Sequence, residues 1–126
     1  MANNVGSPLP RSIFVLVLSG VLLSSAHARV IHHNALYGAI AYHDASRSSG
    51  FAVDRRNSRE ARVEALRQCG HPKCEVALTL RNECGAIARD GKLVRSQKGA
   101  TRQEAEAKAL RQCGERCEII TWACTR

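Results

Sequence analysis

The sequence has few aromatic residues: two Phe, two Tyr and one Trp in a chain of 126 residues. Proteins that bind single-stranded nucleic acid stack its bases on aromatic side chains, so this scarcity argues against that class. The chain also lacks a serine-hydrolase motif, a phosphate-binding glycine loop and a dinucleotide fingerprint. We therefore predict no cofactor and no nucleic-acid partner.

A long hydrophobic run is missing as well. The uncharged, mostly apolar segment 13–23 is much shorter than the roughly 20 residues that a membrane-spanning helix needs. It follows Arg11 and precedes a small-residue A-x-A pattern that ends at Ala28, which is typical of a secretory signal peptide. We predict a signal peptide over 1–28, cleavage after Ala28, and a single exported domain over 29–126 without a membrane span.

Acidic residues are outnumbered by basic ones. The chain has 19 Lys and Arg against 11 Asp and Glu, and its formal net charge is +8. Such a charge favours an anionic partner, either an acidic protein or an anionic polymer of the cell envelope such as a glycan or lipopolysaccharide. A solvated, solubilising surface is the competing interpretation.

Three sequence blocks recur in the same order along the chain. They are GAIA (from Gly38 and Gly85), ALRQCG (from Ala65 and Ala109) and a cysteine-led apolar segment (from Cys74 and Cys117). Ordered recurrence of this kind indicates a duplicated structural unit. We call the two copies repeat one, about 37–82, and repeat two, about 84–125.

Each repeat begins with a predicted β-hairpin. In repeat one, AIAY and FAV flank the turn-forming SRSSG, and in repeat two, AIA and KLV flank RDG. Each repeat ends with a segment, 76–80 or 119–123, that is apolar at both alternating sets of positions, as in an internal strand.

A helix is predicted between the hairpin and the last strand. Asn57 with Glu60, and Thr101 with Glu104, have the spacing of an N-cap and its acidic partner. Alanines and a cysteine recur on one helical face, and a glycine suited to ending a helix follows each cysteine. The fold class is therefore α+β: two tandem β-β-α-β repeats with pseudo-twofold symmetry that share one antiparallel sheet or one core.

The six cysteines form an even set in a small exported domain, which indicates a disulfide framework. The repeat favours short bonds from helix end to strand start, with a third bond that has no counterpart in repeat one. The predicted pairs are Cys69 with Cys74, Cys113 with Cys117, and Cys84 with Cys124.

The ordered motifs GAIA, REARVEALRQCG, CGAIA, TRQEAEAKALRQCG and TWAC resemble a bacterial exported family known as domain of unknown function 4189. The resemblance extends over 37–125. It implies a small, exported, cysteine-paired protein, and it supplies no activity that can be assigned to particular residues. The hairpins of this chain are richer in Arg and Lys than those of typical members.

Three kinds of chemistry compete with disulfides and binding. The spacings C-x4-C and C-x3-C with His71, or the histidines His32, His33 and His43, are within the range of metal sites. Cys84 with His43 as base is the best nucleophile pair. The glutamates of the helices are expected to serve as caps and solvated charges rather than as paired catalytic acids.

Basic residues concentrate where each hairpin runs into its helix. The first cluster comprises Arg55, Arg56, Arg59 and Arg62, and the second cluster comprises Lys92, Arg95, Lys98 and Arg102. Because a helix N-terminus carries partial positive charge and free N–H donors, we predict that these clusters bind a partner. An apolar rim near Phe51 and Trp122 is the next candidate.

The sequence thus predicts a non-enzymatic binding protein, an inhibitor or immunity-type module that recognises an acidic protein. A basic module for an anionic envelope polymer is the alternative, and an unrecognised envelope enzyme is the third interpretation.

Overall fold

A computed structural model describes residues 34–125 and, outside that range, Gly6. The predicted signal peptide, its cleavage site after Ala28, and His32 and His33 lie outside the described residues. Both repeats fold as β-β-α-β, as predicted. The elements are β1 (Tyr37–His43), β2 (Ser48–Arg55), α1 (Ser58–Cys69), β3 (Glu75–Arg81), β4 (Cys84–Arg89), β5 (Val94–Gly99), α2 (Arg102–Cys113) and β6 (Glu118–Cys124).

Each repeat forms its own three-stranded antiparallel sheet, with the strand orders β2-β1-β3 and β5-β4-β6. The prediction that β3 and β6 are internal strands is wrong, because both lie at sheet edges and β1 and β4 are central. A register shift in β3 explains the misleading pattern: Val76 packs with the core under the helix, whereas Leu78 packs with the core between the repeats. An edge strand therefore has apolar residues on both faces.

The second hairpin differs from its prediction. KLV was expected to be a strand, but β5 begins only at Val94. Asp90 Oδ1 accepts hydrogen bonds from the backbone N–H groups of Lys92 and Leu93, both at 2.7 Å. This side chain keeps Lys92 and Leu93 in the turn, since a short Asp side chain competes with strand pairing for nearby N–H groups.

The helix ends follow the sequence signals. Asn57 Oδ1 accepts the N–H of Glu60 at 2.9 Å, and Thr101 Oγ1 accepts that of Glu104 at 3.1 Å. Gly70 ends α1 in the left-handed conformation, with φ 71°. Gly114 ends α2 with φ 110° and ψ 177°, outside the left-handed helical region but still at a positive φ that favours glycine.

Small residues bring each helix close to its sheet. In repeat one, Ala39 and Ala41 of β1 pack against Ala61 and Ala65 of α1, and all four are fully buried. Gly50 of β2 lies directly under α1, where a Cβ atom would lie 2.5 Å from Ala65 O and would also collide with Cys69 N. The helix therefore packs against backbone rather than against side chains at this point.

The two repeats share a core rather than a sheet. Ile40, Leu80 and Ile87 are fully buried in a cluster that includes residues of both repeats. Gly85 marks a close approach of the two repeats, because a Cβ atom there would lie 2.8 Å from Leu78 Cδ1 and 2.9 Å from Leu80 Cδ2. The repeats are thus joined by interdigitated side chains, with no strand pairing between the two described sheets.

The disulfide pairing agrees with the prediction. The bonds join Cys69 to Cys74, Cys113 to Cys117, and Cys84 to Cys124. The first two each connect a helix end to the segment that enters the last strand. The third joins paired residues of neighbouring strands β4 and β6.

Candidate functional site

All eight residues of the predicted basic clusters are exposed, but the two clusters differ in their surroundings. Arg55 and Arg59 of the first cluster line a shallow groove along α1, which Val63, Glu64 and Arg67 also line. Arg56 and Arg62 are exposed outside that groove. The structure therefore brings together only half of the first cluster.

The groove along α1 contains an internal ion pair. Arg67 donates two hydrogen bonds to Glu64, Nε to Oε2 at 2.9 Å and Nη2 to Oε1 at 2.7 Å. These bonds and that from Gln68 lower the pKa of Glu64 to about 2. Glu64 therefore remains charged in neutral solution and offsets part of the arginine charge in the groove.

Two members of the second cluster have acidic partners within the chain. Lys98 Nζ lies 3.1 Å from Glu83 Oε1, and Arg102 Nε lies 2.7 Å from Glu106 Oε1. Lys92 lies in the turn, and Arg95 donates to the carbonyl of Val94 at 2.9 Å. The two clusters therefore do not form equivalent surfaces.

A groove with apolar lining lies where the two repeats meet. It has a volume of about 500 Å³, and its walls come from β2 and β6. Two large apolar side chains are exposed in it, Phe51 at 51% and Trp122 at 39%. Its other lining residues are Val53, Ile120, Thr121, Ala123 and Cys124. We call this feature the β2/β6 groove.

Arg102 connects the second basic cluster with the β2/β6 groove. Its guanidinium carbon lies 3.9 Å from the centre of the Trp122 ring, a cation–π geometry. Arg102 is also the first residue of α2, where the helix dipole adds partial positive charge. One flank of the groove is therefore both aromatic and cationic.

A buried hydrogen-bonded contact joins β2 to Thr125, the residue that follows β6. Thr125 is fully buried, and its hydroxyl donates to Asp54 Oδ1 at 3.2 Å. Asp54 lies at φ 56°, and its N–H donates back to Thr125 Oγ1 at 3.4 Å. This contact holds the two walls of the groove together at one end.

Both walls are edge strands. In the described sheets β2 pairs only with β1, and β6 pairs only with β4. An edge strand presents backbone N–H and C=O groups that can pair with an added strand. The β2/β6 groove therefore combines two edge strands, exposed aromatic surface and positive charge.

The metal and nucleophile alternatives do not match the geometry of the described residues. Every cysteine there is disulfide-bonded, so Cys84 is not available as a nucleophile and no thiolate is available for zinc. His43 and His71 stack with ring centres 4.2 Å apart, yet in residues 34–125 no group of three or more His, Cys, Asp or Glu is placed to hold a metal ion.

This architecture defines a class: small α+β proteins made of two disulfide-stapled β-β-α-β repeats around a shared core. The model of the family described as Domain of unknown function (DUF4189) matches residues 37–124, and the chain belongs to that family. It is also similar to Rv1813c from Mycobacterium tuberculosis, whose NMR structure is known, with 38% sequence identity and a TM-score of 0.58. The similarity covers 71% of this chain and 74% of that chain.

No curated protein sequence matches the chain. Neither described helix is long and apolar enough to cross a membrane. The family match and the structural similarity thus establish the family and the fold.

Proposed function

We propose that the protein is an exported, non-enzymatic binding module that recognises an extended, acidic segment of another protein in the β2/β6 groove. The observation that carries this proposal is the exposure of Phe51 and Trp122 in one groove, with Arg102 stacked on the indole. Trp, other aromatic residues and Arg are enriched at the energetic centres of protein interfaces.

The burial of the other aromatic side chains supports this assignment. Tyr42 is buried and Tyr37 is half-buried, so the described chain leaves only Phe51 and Trp122 largely open to water. Exposing large apolar side chains together is unfavourable unless something covers them. Two exposed aromatic residues in one groove are therefore better explained by a partner than by the fold.

The strand edges and the charge suggest the chemistry of the partner. An extended segment can pair with the edge of β2 or β6 while its alternate side chains enter the apolar groove. The remaining side chains then lie near Arg102 and the start of α2, which favour carboxylates. Export is supported by the three disulfides, which persist in oxidising compartments.

Amide NMR spectra of the labelled, oxidised protein test the proposal with two synthetic peptides, one alternating valine with glutamate and one alternating valine with lysine. We expect the acidic peptide to shift the amides of 51–53 and 120–123, and the basic peptide to leave them in place. Trp122→Ala is expected to weaken binding of the acidic peptide by about tenfold or more.

Val63→Ala is the matched control, because Val63 is an exposed apolar residue (60%) on α1 that does not line the β2/β6 groove. Equal shifts with both peptides, or equal affinity of Trp122→Ala and Val63→Ala, would contradict the proposal. If an anionic glycan such as polyglucuronate binds at the first basic cluster and the acidic peptide does not bind, the protein is a module for an anionic envelope polymer rather than a peptide-binding module.

A further inference from the structure

A second cavity, of about 310 Å³, lies on the molecule where loops of both repeats converge. Three arginines line it, each from a different part of the chain: Arg47 from the turn between β1 and β2, Arg89 from the end of strand β4, and Arg116 from the segment between α2 and β6. It is lined by residues other than those of the β2/β6 groove, apart from Ile120. The cavity is therefore a different candidate site from the β2/β6 groove.

Arg89 is the most enclosed of the three, with 13% of its side chain exposed. Its Nε lies 3.0 Å from Asp44 Oδ1, but the N–H is not aligned for a hydrogen bond, and this buried atom has no hydrogen-bond partner among the described residues. A buried N–H donor without an acceptor is unfavourable. Arg89 thus places a largely buried positive charge in the wall of the cavity, and its ion pair with Asp44 leaves the Nε–H without an aligned acceptor.

The carboxylates around the cavity are mostly committed to the fold. Asp90 Oδ1 accepts the two backbone N–H groups of its turn, which lower the pKa of Asp90, with Arg116 and Arg89 adding to the effect. Asp44 pairs with Arg89 and accepts the Tyr42 hydroxyl at 3.2 Å. Glu118 is the remaining acidic residue in the lining.

The loops that carry the other two arginines are fixed by local structure. Arg116 lies inside the short loop closed by the Cys113–Cys117 disulfide, where Cys117 N–H also donates to Gly114 O at 3.1 Å. Arg47 N–H donates to Asp44 O at 3.1 Å, and its φ is 55°. Both arginines are therefore presented by tight turns rather than by long flexible loops.

We propose that this cavity binds a sugar phosphate of monosaccharide size, with its phosphate between Arg47, Arg89 and Arg116. Three guanidinium groups offer more donors than the two oxygens of a carboxylate can accept, whereas a phosphate has three strong acceptor oxygens. The cavity is larger than a phosphate alone, and Ser49 and Glu118 in its lining provide groups that hydrogen-bond to sugar hydroxyls.

Isothermal calorimetry with glucose 6-phosphate, inorganic phosphate, glucose and glucuronate tests the proposal on the full oxidised chain. We expect glucose 6-phosphate to bind more tightly than each of the other three. Arg116→Gln and Arg47→Gln are each expected to weaken its binding by about tenfold or more, because each removes charge-assisted hydrogen bonds. Both residues are exposed, so the substitutions leave the core intact.

Arg111→Gln is the matched control, since Arg111 is an exposed arginine of α2 outside the cavity lining. The affinity of this variant for glucose 6-phosphate is expected to equal that of the unsubstituted protein. Equal affinity of all three variants would place the phosphate elsewhere and overturn the proposal. Equal or tighter binding of glucuronate would overturn the assignment to phosphate. Thermal unfolding of each variant verifies that it is folded under the conditions of the titration.

Discussion

Replacing both Cys84 and Cys124 by alanine is expected to destabilise the protein more than removing a short disulfide. The bond between them closes a loop with a sequence separation of 40 residues, whereas that between Cys113 and Cys117 closes one of 4. In the chain-entropy model a loop of about 40 residues contributes roughly 4 kcal/mol and the short loop about 2 kcal/mol. The expected difference in the free energy of unfolding is therefore about 2 kcal/mol.

The double variant C113A/C117A is a matched control, because each pair contains one cysteine that is almost completely buried: Cys84 at 1% exposure and Cys113 at 6%. The two double variants thus lose similar amounts of side-chain packing. One kcal/mol shifts the melting temperature of a domain of this size by about 4–8 °C. We expect C84A/C124A to melt roughly 8–16 °C below C113A/C117A.

Circular dichroism during heating measures both melting temperatures, after a thiol assay has shown that the remaining cysteines are oxidised. Equal melting temperatures would refute the loop-length argument and indicate that the strand pairing of β4 with β6 already supplies the constraint. A lower melting temperature for C113A/C117A would show that the short loop stabilises the native state in another way.

Two further predictions concern repeat one. Gly50→Ala is expected to destabilise the protein by about 1–3 kcal/mol, because the added methyl would lie against Ala65 O in the helix above it. Gly91→Ala is the control: its methyl would meet nothing within 4 Å, so we expect its melting temperature to stay within a few degrees of that of the unsubstituted protein. Equal effects of the two substitutions would contradict the close contact between Gly50 and the helix. The pKa of Glu64 is about 2 against an ordinary value of 4.5, which implies that the ion pair stabilises the fold fully above pH 4.5 and that this stabilisation is lost as the pH falls toward 2. NMR titration of the Glu64 carboxyl group is expected to show a midpoint at about 2, and Arg67→Ala is expected to raise that midpoint. An unchanged midpoint in Arg67→Ala would argue against the ion pair.

The parts of the fold that the sequence predicted correctly depend on local chemistry. The N-cap bonds of Asn57 and Thr101, the glycines after each helix and the cysteine pairs all follow from residues close together in the chain or from the repeat. Strand position was not predictable in this way. The apolar pattern of a central strand is the same as that of an edge strand whose apolar residues face a helix on one side and the other repeat on the other.

Sequence reasoning placed the apolar rim near Phe51 and Trp122 second to the basic clusters, and it missed the arginine-lined cavity altogether, for a related reason. Phe51 and Trp122 belong to different repeats and become neighbours only when the shared core forms. Arg47 and Arg116 come from separate turns and Arg89 comes from the end of strand β4, and none of them belongs to the basic clusters that the sequence singled out. Charge clustering along a chain identifies helical surfaces well, but it does not identify sites assembled from distant loops.

The division of the fold into two sheets has a consequence for how such a protein can arise. In the described structure no strand ladder crosses between the repeats, and β3 and β4 are separated only by Asn82 and Glu83. The contact between the repeats therefore has the character of a subunit interface between two like chains, joined by a very short linker. A half-length ancestor that paired with its own copy would give this arrangement after gene fusion. Fusion would then allow each half to change separately, as Cys84 and Cys124 in repeat two already show.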